Sequence, residues 1–198
     1  MADFTRRDAL RKIAVGGAAA VTAPLWVETL VSAAGQHAAH YQASAAQAAA
    51  WAPKALTPAQ NETVITLAEL IIPQTDTAGA TKANVNRFID AVIADASAAD
   101  RQKFVDGLGW LDTQSQRDAG APFARASAAH QAALLTAIST NKAPSSTEQV
   151  GVDFFSAIKS LTITGYYTSE VGMHEEMGDD GNMFFLEYKG CTHPEHKT

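Results

Sequence analysis

The stretch Thr57-Pro58-Ala59-Gln60-Asn61-Glu62-Thr63-Val64-Ile65-Thr66-Leu67-Ala68-Glu69-Leu70-Ile71-Ile72-Pro73 decides the fold class. Thr57 offers a hydroxyl to the free amides of a first helical turn, Pro58 brings no N–H where none is needed, and Gln60 stands at capping-box spacing. Val64, Leu67, Ala68, Ile71 and Ile72 then recur at helical intervals and give the segment one apolar face. Pro73 cannot continue the hydrogen-bond ladder and ends it.

Working outward, Gln74 to Ala83 is rich in Thr, Gly and Ala and reads as a loop. Val85, Phe88, Ile89, Val92 and Ile93 define a second amphipathic helix. A third runs from about Ala98 to Ala119, with Phe104, Val105, Leu108, Trp110 and Leu111 apolar and with Gly120 and Pro122 at its end. Ser127 can cap a fourth, which carries Leu134, Leu135 and Ile138, and Asn141 to Thr147 reads as loop. A fifth holds Val152, Phe155, Ile158 and Leu161. Alanine is abundant and no alternating strand pattern occurs. The expectation is one all-α domain.

Composition narrows the functional classes. A chain of 198 residues with 46% hydrophobic side chains can bury a single good core. Its formal charge is −6, and no cluster of Lys and Arg lies outside the first residues, so there is no cationic track for nucleic acid. Cys191 is the only cysteine. An intramolecular disulfide, a cysteine-held iron–sulfur cluster and a Cys-x-x-Cys-His haem attachment are therefore excluded. No glycine-rich phosphate loop follows a strand, so the chain is not expected to bind FAD or NAD by itself.

Residues 1–33 have the layout of an export leader: Thr5-Arg6-Arg7-Asp8-Ala9-Leu10-Arg11-Lys12, an apolar stretch from Ile13 to Val27, then Val31-Ser32-Ala33. The arginine pair after Thr5, with Leu10 in the apolar slot, resembles the twin-arginine signature. At about 15 residues the apolar stretch is short of the roughly 20 that span hydrocarbon. Cleavage is expected at Val31-Ser32-Ala33, and the finished protein is expected in the periplasm, free or attached to the periplasmic face of the inner membrane through its complex. Residues 34–56, mostly Ala, Gln, His and Ser, read as a flexible or loosely docked arm. Taking residues 1–33 away removes four bases and three acids and moves the charge to about −7.

The end of the chain is less regular. Ile163-Thr164-Gly165-Tyr166-Tyr167-Thr168-Ser169-Glu170-Val171-Gly172 has no simple period and suits a tightly packed, specific surface. Residues 178–198 include Met183, Phe184, Phe185, Leu186 and Tyr188, too apolar for a free tail in water. They are expected to pack on a partner.

Three segments carry a family resemblance: Leu70-Ile71-Ile72-Pro73-Gln74-Thr75-Asp76-Thr77-Ala78-Gly79-Ala80, Gly109-Trp110-Leu111-Asp112 and Tyr166-Tyr167-Thr168-Ser169-Glu170-Val171-Gly172. In this order, over Thr57 to Met177, the chain resembles the gluconate 2-dehydrogenase subunit 3 family. The resemblance implies a small gamma-type subunit without catalytic residues of its own. It would bind a large FAD-containing dehydrogenase of the glucose-methanol-choline type, often with a cytochrome c carrying haem in a third subunit. It would assist maturation of the large subunit and its passage through the twin-arginine translocase. The substrate of such a complex is a sugar, sugar acid or related polyol.

Cys191, His193 and His196, with Glu195 between the imidazoles, form a weak metal candidate that short spacing and Pro194 count against. A stand-alone periplasmic binding or metal-carrying protein is the alternative they support. His174, Glu175 and Glu176 read as solvated surface or partner contact. Ser169 near His174 and Glu170 only loosely fits a nucleophile with its base. Tyr166, Tyr167, Thr168, Ser169 and Glu170, together with Phe184 and Phe185, fit a partner interface better, since tyrosines bring large contact area at low entropy cost.

Overall fold

A computed structural model describes residues 24–41, 51–139 and 145–179. Among these residues all regular structure is helical, as composition and periodicity predict. The order is α1 (Leu25–Tyr41), α2 (Pro58–Ile71), α3 (Val85–Asp95), α4 (Ala98–Ala119), a short 3-10 turn (Phe123–Arg125), α5 (Ala128–Ser139), α6 (Ser146–Tyr167) and a π-helical turn (Val171–Glu176).

The helix starts follow local chemistry. At α2 the Thr57 hydroxyl accepts from the Gln60 amide at 3.3 Å, while Gln60 Oε1 accepts from the Thr57 amide at 2.8 Å. The capping box is complete. Ser97 and Ser145 cap α4 and α6 by accepting from Asp100 N–H and Glu148 N–H. Gly120, at φ +70°, closes α4 in the left-handed region that L side chains adopt at a cost. Arg101 finishes α3 from outside: its Nε donates to the Ile93 carbonyl at 3.1 Å and Nη2 to Ala94 at 2.6 Å. A cation is thus held against the negative end of that helix.

α6 is the hub and packs on each of the other five helices, most extensively on α1. Its Phe154, Ala157, Ile158 and Leu161 meet Phe104, Leu108 and Leu111 of α4 and Phe88, Ile89, Val92 and Ile93 of α3 in one core. Phe104 and Phe154 stack edge to face with centroids 5.3 Å apart. Two glycines allow close approach: a Cβ on Gly107 would lie 2.5 Å from Phe154, and one on Gly151 2.3 Å from the Trp110 ring.

Three features depart from the sequence reading. α6 runs through Ile163 to Tyr167, where no period was evident, because Gly165 interrupts the stripe to make room for Phe88. The boundary expected after Ala33 lies inside the continuous helix α1, whose Trp26, Val27, Leu30 and Ala34 are buried in the common core. The segment expected as an arm begins in that helix and ends in a docked strap. There Asp90, 1% exposed, accepts from the amides of Lys54, Ala55 and Leu56 at 2.7, 3.0 and 3.0 Å. Arg87 stacks over Trp51 at 5.3 Å, and Leu56 is buried.

The arginine pair at Arg6 and Arg7, Phe184 and Phe185, and Cys191, His193 and His196 lie outside the described residues. Among the described residues no helix is long and apolar enough to cross a membrane.

Candidate functional site: a junction of two distant motifs

The loop after α2 is built by Glu69. One carboxylate oxygen accepts from the Gln74 amide at 2.8 Å and the other from the Thr81 amide at 2.9 Å, so a single side chain holds both ends of the loop. Gly79 is required where the carboxylate passes, since a Cβ there would lie 2.4 Å from Glu69 Oε1. Ala80 N–H donates back to the Ile72 carbonyl at 3.0 Å and closes the turn. Ala78, Gly79 and Ala80 point inward, while Gln74, Thr75 and Asp76 are exposed.

The second motif meets this loop from the end of α6. Tyr166 is completely buried, and its hydroxyl donates to the Ala78 carbonyl at 2.7 Å. Tyr167 lies edge on to it, with centroids 5.2 Å apart and planes at 89°. The Ser169 hydroxyl donates to the Tyr166 carbonyl at 2.6 Å and accepts from Gly172 N–H at 3.0 Å. Gly172 has no room for a side chain: a Cβ would sit 2.0 Å from the Tyr166 carbonyl oxygen. Beyond it the Met177 amide donates to the Gly172 carbonyl at 3.1 Å, the wide i to i−5 ring of a π turn. The Thr77 hydroxyl donates to Glu176 from the other side, so the loop is tied once to the end of α6 and once to the π turn.

This geometry revises the roles read from sequence. Tyr166 is not available to a partner, because its ring is core and its hydroxyl ties α6 to the Ala78 carbonyl of the same chain. Tyr167, Thr168 and Ser169 are half-buried, and of the five only Glu170 is exposed. Ser169 is a staple at the end of α6, with its hydroxyl engaged as donor and acceptor, and not a nucleophile held beside a base. His174 does not face it; its Nδ1 meets the Asp179 carbonyl. The exposed side chains around the junction are Gln74, Thr75 and Asp76 on the loop and Glu170, His174, Glu175 and Met177 on the turn. Met177 is 56% exposed, large for an apolar side chain.

Glu69, Thr77, Ala78 and Glu176 were missed as partners in this site. The available signal was Glu69, a carboxylate one turn before Pro73 in an otherwise apolar helix end. Gly109-Trp110-Leu111-Asp112 belongs elsewhere: Leu111 is core, and Asp112 accepts from the Phe123 amide at 3.0 Å to start the 3-10 turn. Trp110 lines a cavity of about 420 Å³ with Gln114, Asp118, His130, Leu134 and Glu148. Among the described residues no three His, Cys, Asp or Glu side chains gather as a metal site.

Fold and junction together define an all-helical protein with one core, in which two motifs far apart in sequence are locked into a single surface feature. A family model described as gluconate 2-dehydrogenase subunit 3 matches residues 58–182, which include both motifs and the whole of the junction. The chain belongs to the gluconate 2-dehydrogenase subunit 3 family. Comparison with curated proteins and with solved structures found no match.

Proposed function

We propose that this chain is the non-catalytic small subunit of a flavin-dependent dehydrogenase complex acting on a sugar or sugar acid. The observation that carries the reading is the family match over residues 58–182. FAD belongs to the large subunit of the glucose-methanol-choline type, and haem c to a cytochrome subunit where one is present. The small subunit docks on the large one, assists its maturation and accompanies it through the twin-arginine translocase to the periplasm. Thr5-Arg6-Arg7 and Leu10 support the export route.

Two features of the junction support docking over chemistry. Its buried polar groups serve one another, as Tyr166 with Ala78 and Ser169 with Gly172 illustrate. Its exposed groups, Asp76, Glu170, Glu175 and Met177, offer acids around an apolar side chain, the composition of a rim and an anchor.

The test is co-expression of a tagged full-length chain with the flavoprotein encoded beside it, followed by affinity purification. Flavin absorbance at the complex's elution volume supports the reading. Met177→Asp combined with Glu170→Lys should release the flavoprotein while leaving the melting temperature of the small subunit in place. A chain that purifies alone and colourless whatever is co-expressed overturns the proposal.

A further inference from the structure

Helix α1 is read in two ways by the sequence and in only one by the packing. Val31-Ser32-Ala33 has the small residues of a signal-peptidase site, yet all three sit in mid-helix between Leu30 and Ala34, both buried in the core. Trp26 and Val27, one turn earlier, are buried too. α1 makes the most extensive helix pairing in the described fold, on the hub helix α6, and covers α3 as well. It is also pinned at its flanks. The Thr29 hydroxyl lies 3.3 Å from Asp100 Oδ2, and His37 Nε2 lies 3.1 Å from Asp95 Oδ2.

A cut after Ala33 would take Trp26, Val27 and Leu30 away and open the apolar faces of α3 and α6 to water. A peptidase must also find its site unfolded, whereas here it lies within a packed helix of a protein that the twin-arginine route carries already folded. Upstream, Ala18-Ala19-Ala20 offers the same small-residue spacing without touching α1.

We infer that α1 is a permanent part of the finished subunit, and that cleavage does not occur at Val31-Ser32-Ala33. The leader therefore ends before Leu25, and the segment read as its tail is a structural helix. This inference rests on the export reading proposed above for its biological setting, and on the core packing alone for its structural half.

The experiment is to express the full-length chain with a C-terminal tag together with its large subunit, recover it from the periplasm and measure its intact mass. A chain that begins at or before Leu25, trimmed or whole, is the expected result. A chain that begins after Leu25 overturns the inference. The second measurement is Leu30→Ala in the same full-length background. Loss of this buried side chain should lower the melting temperature of the recovered subunit by roughly 5–15 °C. An unchanged melting temperature overturns the inference, because a residue already removed cannot matter. Were the tagged chain found only in the cytoplasm, the export reading would fall, and the Leu30→Ala melt would still decide whether α1 belongs to the core.

Discussion

The Tyr166 hydroxyl donates to the Ala78 carbonyl across 88 residues of sequence, at 2.7 Å and in a fully buried setting. Removing only that oxygen, as Tyr166→Phe, keeps the ring packing and loses the tie. The expected cost is about 1 kcal/mol. Urea unfolding followed by helical circular dichroism should show a lower midpoint with an unchanged slope.

Gly172→Ala forces a methyl to within 2.0 Å of the Tyr166 carbonyl oxygen, against backbone that has no rotamer by which to move aside. A loss of about 1–3 kcal/mol is expected. Because the Ser169 hydroxyl links the Tyr166 carbonyl to Gly172 N–H, and the Gly172 carbonyl closes the π turn, the turn should open locally as well. Hydrogen exchange at Met173 and Met177 would report it as lost protection, with α4 unaffected.

Asp90→Ala strips three backbone amides of their acceptor in one step. With three amides left unpaired in a buried or part-buried setting, the loss should exceed about 3 kcal/mol. Limited proteolysis is the direct check: cleavage between Trp51 and Leu56, slow in the parent, should become the first event in the variant.

Burial pushes the Lys159 ammonium below its ordinary value of 10.5. The fold disfavours the protonated form, so the folded value lies under the unfolded one. The penalty is fully present at neutral pH and fades as pH rises through the interval up to 10.5. The parent should therefore gain stability on moving toward pH 10, and Lys159→Met should raise the urea midpoint at pH 7 and flatten that gain. An unaltered pH dependence in the variant would assign the alkaline gain to another group.

Much of the fold was legible because its signals are local. Thr57, Ser97 and Gly120 act within one turn of where they stand, and the apolar stripes of α2 to α5 need no knowledge of their neighbours. The end of α6 was not legible, since Gly165 makes sense only opposite Phe88. α1 was obscured for a different reason: small and apolar residues suit both a leader and a tightly packed helix, and only the burial of Trp26, Val27, Leu30 and Ala34 in the core separates the two. At the junction the motif was recognisable as specific, but an aromatic in an irregular stretch suits a partner surface as well as a core. What distinguishes them is Ala78, which no local pattern connects to Tyr166.

The Glu69 clamp has a consequence for how the subunit meets another protein. A loop fastened at both ends by one carboxylate and braced from below by Tyr166 holds Gln74, Thr75 and Asp76 in a fixed arrangement before any encounter. Contact with that loop then freezes little additional motion, and more of the interaction free energy survives as affinity. The short polar loop behaves as a preset stamp, whose shape is stored in the helices beneath it.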